Sequence, residues 1–250
     1  MPLLSVVIIT FNEEKNIGRC LESVKGLADD IVVVDSFSTD DTAEICKKYK
    51  VNFIQKTWEG YSENKNYGNS LAKNDWILSL DADEALSAEL IQSIASLKQS
   101  SEAGLFRICR LTNYCGTWIK HSGWYPDKKV RLFDRRSTHW EGSIHEKLCN
   151  IKEHAVPVIK GDCYHYSYYS LRDHKAQARR FSEMAAQDLF TKGKSAGWLK
   201  IIFSVLFKFV KGYIVKLGFL DGMAGWRIAT VSAHAVFLKY LKLRELHAKK

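Results

Sequence analysis

The chain has 250 residues, 46% hydrophobic and 26% charged, with 15 Gly and only 3 Pro. That suits one large domain, or one domain with an appendage, and excludes a disordered chain, a collagen-like repeat and a small disulfide scaffold. Lys and Arg number 37 against 28 Asp and Glu, a net charge of +9, so nucleic acid, an anionic membrane and phosphorylated small molecules all stay open as partners until the charge is located.

Residues 3–10, LLSVVIIT, form a continuous β-branched run, expected of a strand buried on both faces. No basic segment or cleavage site precedes it, so no secretory signal is expected. Asn12 can cap the next helix, whose apolar stripe is Ile17, Cys20, Leu21 and Val24. Ile31–Asp35 reads as a second buried strand ending in an acid. Asp41-x-x-Glu44 has the form of a capping box ahead of a helix. A short strand at 52–55, a polar helical stretch at 61–73, a strand at 76–81 and a helix at about 87–99 follow.

Alternating strands and helices imply an α/β fold, a Rossmann-like and mostly parallel sheet flanked by helices. Such sheets bind ligands beyond the carboxyl ends of their strands. Thr10, Asp35 and Asp81 all stand at those ends. From 104 to 165 strands are expected at 104–111, 130–134 and 156–165. Beyond about 171 the chain reads as helix. Residues 189–220 hold six lysines and no acids among aromatic and aliphatic residues, and Lys200, Ser204, Lys208 and Lys211 share one helical face. That pattern suits a helix lying in a membrane interface, although a helix packed on the domain with a solvated lysine edge gives it too. Apolar runs fall short of the roughly 18 residues a plain membrane span needs. The six cysteines form no C-x-x-C pair, so free thiols in a reducing cytoplasm are expected.

Asp81-Ala82-Asp83-Glu84 directly follows a strand. Carboxylates at i and i+2 can reach one hard cation, which takes oxygen ligands and phosphate oxygens. A solvated turn ahead of a helix start would use the same residues. Asp35, Ser38 and Thr39 serve turn chemistry or a nucleotide. Lys65 can neutralise a phosphate.

VVIITFNEE, IVVVDSFSTDDT, NKNYG, WILSLDADE, GWYPDKKVRLF and GSIHEKL together resemble family-2 glycosyltransferases of the GT-A fold. Spacing and tail are most similar to the lipopolysaccharide-core β-1,4-glucosyltransferase type. The resemblance implies a GT-A catalytic domain over 1–165, with a nucleotide-sugar half at 1–100 and an acceptor half at 101–165. It leaves 166–250 as a basic amphipathic helical tail. It implies an inverting hexosyltransferase that uses a divalent cation, Mg or Mn, and a nucleotide-diphosphate sugar, UDP-linked. Thr10, Asn12, Glu14 and Lys65 would lie near the nucleotide, Asp35 at its base and Asp81 at the ribose or the metal's water shell. Asp83 would ligate the cation, with His165 completing its shell. The family's base corresponds here to His145-Glu146, a departure from its commoner Glu-Asp pair. Glu146 is the expected base and His145 its orienting neighbour, with Asp127 and Glu141 as rivals. No G-x-G-x-x-G or P-loop occurs, so phosphate binding is expected to rely on metal and Lys.

Trp124-Tyr125 would stack on a sugar or pack in a core, and Lys128, Lys129 and Arg131 would hold an anionic acceptor or form a solvated face. The acceptor expected from the tail is an anionic lipid-linked saccharide, met at the inner face of the cytoplasmic membrane, with no nucleic acid as partner. A nucleotidyltransferase and a non-enzymatic basic scaffold are the alternatives. FNEEKN after the first strand, without glycine until Gly18, argues against the former. The confinement of the surplus charge to the tail argues against the latter.

Overall fold

The computed structural model describes residues 1–101, 103–142 and 146–248. In chain order the elements are β1 (Leu4–Thr10), α1 (Ile17–Val24), β2 (Asp30–Asp35), α2 (Thr42–Lys48), β3 (Asn52–Gln55), α3 (Tyr61–Leu71), β4 (Trp76–Asp81), β5 (Glu84–Leu86) and α4 (Ala88–Gln99). Then come β6 (Phe106–Tyr114), β7 (Thr117–Trp118), β8 (Asp127–Asp134), β9 (Trp140–Glu141), β10 (Lys147–Leu148), β11 (Val158–Tyr168), α5 (Leu171–Thr191), α6 (Trp198–Val210) and α7 (Gly222–Ala248).

The main sheet runs β3-β2-β1-β4-β8-β6-β11-β5, with β7 beside β6. β1, β2, β3 and β4 pair in parallel, while β8 meets β4 and β6 antiparallel. The fold is thus the expected α/β class, with its parallel part built from the β-branched runs. All of β1 is buried, and Val6, Ile8, Val33, Leu78 and Leu80 join the core beneath α1 and α4. Register places Thr10 opposite Asp35, and Ile9 opposite Asp81. The acid-tipped strands therefore end along one rim.

Helix α3 lies close over that sheet because Gly68 has no side chain. A Cβ there would come 2.5 Å from Val7 Cγ1 and 3.0 Å from Val34 Cγ2. Lys65 stands three positions earlier, on the same helical face. The contact that needs glycine thus also presses Lys65 into the interior.

Two capping expectations fail. Asn12 does not cap α1, which starts at Ile17; Asn12 has φ 54° and its Oδ1 accepts the Thr39 N–H at 2.8 Å. Asp41 makes no side-chain cap on α2. Asp40 accepts the Thr42 N–H and hydroxyl instead, at 3.0 and 2.5 Å, and Glu44 pairs with Lys47 at the surface. In both places side chains tie the loop after β1 to the loop after β2, since Thr42 Oγ1 and Asp40 Oδ2 also accept the N–H groups of Glu13 and Glu14 at 2.8 and 3.0 Å. The helix at 87–99 is capped as its sequence suggests, with Ser87 Oγ accepting the Leu90 N–H at 3.2 Å.

The chain forms two compact units, one of residues 1–110 and 127–166, the other of 111–126 and 167–250. In the second, Tyr114, Ile119, Ala224 and Ile228 form a small core. Trp124 packs there beside Tyr114, Tyr168 and His174, which is the core role and not the sugar-stacking one. Helix α7 packs on α5 and α6. The tail expected as one amphipathic stretch over 189–220 breaks between Thr191 and Trp198; after Val210 it passes into a π-helical turn, Lys211–Val215, and it breaks again at Leu217, with φ 54°. No helix among the described residues is long and apolar enough to cross a membrane. All six cysteines are free, with Cys20, Cys46 and Cys163 buried.

Candidate active site

The site grows from the rim of the first unit. Asp81 ends β4 and meets two cations. Its Oδ1 lies 3.1 Å from Lys65 Nζ, and its Oδ2 accepts from Arg131 Nη2 at 2.8 Å. Burial acts to raise the Asp81 pKa, but Arg131, then Lys65 and Arg110, overcome it and hold the carboxyl well below its usual range. Arg131 is 4% exposed and also reaches Glu84 Oε1 at 3.1 Å. Glu84, 1% exposed, takes Arg110 Nη1 at 3.2 Å and accepts the Asp81 N–H at 3.0 Å. Arg110 in turn holds Asp127 at 2.7 Å. Arg131 is therefore no surface residue awaiting an anionic acceptor; its guanidinium is spent inside the site, while Lys128 and Lys129 are exposed.

Lys65 is fully buried and is the hinge of the arrangement. Besides Asp81 it binds Glu146 Oε1 at 2.8 Å, and its ammonium lies 4.8 Å from the Trp140 ring centroid. Glu146 is thus not an ordinary surface ion pair to Lys147. It is brought from the segment between β9 and β10 to the same ammonium as Asp81. Residue His145 lies outside the described residues. Of the rival acids, Asp127 is occupied by Arg110 and Lys129, and Glu141 faces His139 on the ladder's exposed side.

Asp83 follows Asp81 on the loop into β5. Its Oδ2 lies 3.2 Å from His165 Nε2, and its carbonyl accepts the Tyr166 N–H at 2.9 Å. The antiparallel pairing of β5 with β11, which sets His165 opposite Glu84, fixes this meeting. A third acid attends it that sequence reasoning passed over. Glu13 is half-buried, and its carboxyl is raised to about 7 by burial first and by the negative charges of Asp83, Asp40 and Asp81, against the Asn16 hydrogen bond. Its neighbour Glu14 is exposed, and Glu14 Oε2 accepts the Asp41 N–H at 3.3 Å. The pair Glu13-Glu14 gives no periodicity from which to choose between them; only the turn before α1 does.

Asp35 is fully buried and committed locally. Its Oδ1 accepts from the Ser38 hydroxyl, and its Oδ2 accepts the Ser38 N–H at 2.9 Å and Gln55 Nε2 at 3.1 Å. It builds the loop after β2 from inside. Asn12 completes that loop, its N–H donating to Ser38 Oγ at 2.8 Å. Thr10 is 6% exposed, and its Oγ1 has no hydrogen-bond partner among the described residues. Phe11, next to Thr10, and Phe37, in the loop after β2, stand 56% and 52% exposed, Phe37 at φ 60°, a costly conformation for a bulky side chain.

The rim thus carries a neutralised carboxylate, Asp81, a cation-linked acid, Glu146, and the pair Asp83–His165 with Glu13 nearby. Residues 5–180 match the family described as Glycosyl transferase family 2. The chain belongs to that family. Among relatives of this glycosyltransferase, the uncharacterized glycosyltransferase RT0209 of Rickettsia typhi is 32% identical over 100% of the chain and 89% of its own length. The lipopolysaccharide core biosynthesis glycosyltransferase LpsC of Rhizobium meliloti is 27% identical, over 99% of the chain and 94% of its own. S. aureus TarS 1-349 in complex with UDP-GlcNAc matches at 18% identity and TM-score 0.47, over 99% of this chain and 92% of that one. As a family-2 glycosyltransferase the protein is an inverting enzyme that draws on a nucleotide sugar.

The raised Glu13 pKa sets a pH dependence. A carboxyl raised on folding binds its proton more tightly in the native state, so between 4.5 and about 7 the native state holds more protons and stability falls as pH rises. In metal-free buffer, thermal unfolding of Glu13→Gln is expected to lack the part of this fall that the wild type shows across that window. Parallel curves for the two proteins would remove Glu13 from the account.

Proposed function

We propose that this family-2 glycosyltransferase moves a hexose from a UDP-linked sugar to an anionic, lipid-linked saccharide of the lipopolysaccharide-core kind, with Glu146 as general base. The observation that carries the reading is the convergence of Glu146 and Asp81 on the buried Lys65. It sets an acid able to accept a proton beside the strand end where ligands of such sheets bind. The acceptor hydroxyl attacks C1 of the sugar. Glu146 takes its proton, the bond from C1 to the phosphate oxygen breaks, and the nucleoside diphosphate departs with inversion. Lys65 and Trp140 orient Glu146. Arg131 and Lys65 hold Asp81 ionised, so it can accept hydrogen bonds from a ribose. Thr10 Oγ1, buried and unpartnered, offers the nucleotide a polar contact, and the loop of Asn12, Asp35 and Phe37 borders its base.

The donors around Asp83 fit a divalent cation, Mg²⁺ or Mn²⁺. Asp83 and His165 present oxygen and nitrogen within 3.2 Å of each other, and Glu13 lies near enough for the charges of Asp83, Asp40 and Asp81 to raise its carboxyl pKa. When bound, the cation supplies charge neutralisation for the leaving diphosphate.

Residues 1–165 carry the chemistry in this reading, and 166–250 meet the membrane. On α6, Leu199, Ile202, Phe203, Leu206, Phe207 and Val210 recur at helical spacing and are all exposed, Phe203 at 67% and Leu199 at 75%. Lys208, Lys211 and Lys216 are exposed near them. An apolar stripe flanked by lysines suits the inner face of the cytoplasmic membrane, with roughly 1 kcal/mol from each basic group near an anionic surface. Vesicle flotation tests this: binding to anionic vesicles is expected to fall with salt and with Phe203→Ser plus Phe207→Ser. Partition indifferent to lipid charge and salt would overturn the membrane assignment.

Incubation with a panel of UDP-sugars and a lipid-linked core saccharide tests the chemistry. Release of UDP with a glycosylated product is expected, and sugar 1-phosphate with a uridylylated acceptor instead would favour nucleotidyl transfer. Asp83→Asn is expected to abolish cation-dependent turnover with an unchanged circular dichroism spectrum. Wild-type cation dependence in that variant would move the metal elsewhere.

A further inference from the structure

Away from the Asp83 group, a different set of donors gathers on the short β9–β10 ladder. Glu141 pairs with Lys147, and Trp140 with Leu148. One step on, the Cys149 N–H donates to the His139 carbonyl at 2.9 Å, so the register sets Cys149 opposite His139. Side chains alternate along a strand. Trp140 and Leu148, each 5% exposed, take the inner face. His139, Glu141 and Cys149 therefore share the outer one, and their donor atoms meet there. His139 Nε2 lies 3.2 Å from Glu141 Oε1 and 3.3 Å from Cys149 Sγ. One ligand atom from each lies within 4.8 Å of the others.

We propose that His139, Glu141 and Cys149 form a binding site for a borderline-soft divalent transition metal of the zinc class. Tetrahedral zinc, with Zn–N near ~2.0 Å and Zn–S near ~2.3 Å, sets neighbouring ligand atoms roughly 3.3–3.6 Å apart. The separations of 3.2 and 3.3 Å need little adjustment to reach that. Imidazole and thiolate favour zinc-like ions, whereas Mg²⁺ prefers oxygen donors. On binding, the Cys149 thiol loses its proton to solvent and the sulfur takes up the metal; a water fills the fourth position. The ladder is a firm support. Asn66 on α3 accepts the Trp140 N–H at 2.9 Å and donates to its carbonyl at 2.8 Å, and Thr138 Oγ1 donates to the Cys149 carbonyl at 2.8 Å. The metal cross-ties the two strands between which Glu146 lies in sequence, and the site stands whichever sugar is transferred.

The test uses the full chain, reduced and freed of metal by a chelator, in excess Mg²⁺ to fill oxygen-rich sites. Titration with Co²⁺ is expected to give one equivalent bound, with a thiolate-to-metal charge-transfer band and the visible absorption of tetrahedral cobalt, both abolished by Zn²⁺. Cys149→Ser and His139→Gln, exposed and conservative changes checked by circular dichroism, are each expected to weaken Co²⁺ binding at least ~10-fold, with the charge-transfer band lost in Cys149→Ser. Absence of the band in the wild-type protein overturns the proposal. So does a band that survives Cys149→Ser, or affinity unchanged in His139→Gln.

Discussion

Replacing Glu146 by Gln is expected to lower kcat at least ~100-fold, the scale of a lost general base, with UDP-sugar binding retained. Gln keeps the length and one oxygen, so Lys65, 2.8 Å from Glu146 Oε1, still finds a partner. What disappears is the capacity to accept a proton from the acceptor hydroxyl. Single-turnover rates measure the chemical step, and calorimetry of donor binding separates it from affinity. A near wild-type rate would move the base elsewhere. Neither rival is better placed, since Asp127 is clamped by Arg110 and Lys129, and Glu141 belongs to the ladder's outer face.

The second large effect concerns stability. Arg131→Met is expected to cost about 3–5 kcal/mol, because removing one partner of a buried ion pair strands the other. Glu84 would keep Arg110, at 3.2 Å, as its contacting cation, with almost no access to water, and Asp81 would keep Lys65 as its contacting cation. The pH dependence has a definite sign. Burial raises the Asp81 pKa, yet Arg131 and Lys65 outweigh it and leave the carboxyl lowered from 3.8. A lowered acid contributes stability that is present above its unfolded pKa and lost as pH falls through the folded one. Wild-type protein should therefore keep this contribution into acid, and Arg131→Met should begin to lose stability at higher pH. Urea unfolding at a series of pH values measures both. A variant within about 1 kcal/mol of wild type would mean that methionine's packing replaces the pair at no net cost.

The parallel half of the sheet was legible because its strands are buried on both faces and leave continuous apolar runs, such as Val6–Ile9 and Val32–Val34. Acids ending such runs stand out, which made Asp35, Asp81 and Asp83 visible. The pieces that escaped were short or ambiguous. β5, β7, β9 and β10 span two or three residues, too few for any alternation to register. Glu84 read as the tail of a loop because two acids, Asp81 and Asp83, precede it, although it opens β5 and is buried. Arg131 read as part of a surface run with Lys128 and Lys129. A signal was available: Val130, Leu132 and Phe133 surround it, all buried, and a charge inside such a run needs an internal partner. Asp35 shows the reverse limit. Its place at a strand end was readable, but not that Ser38 and Gln55 would occupy its oxygens.

Lys65 and Glu146 meet across a sequence separation of 81 residues. A nascent chain carries Asp81 and its ammonium partner out of the ribosome long before the second acid has been synthesised. With Glu146 as the proposed base, truncated or half-translated products are expected to be catalytically silent, even where their early strands have condensed. In a refolding experiment, recovered turnover marks the arrival of the distant segment, and tryptophan fluorescence reporting only on early collapse should run ahead of it.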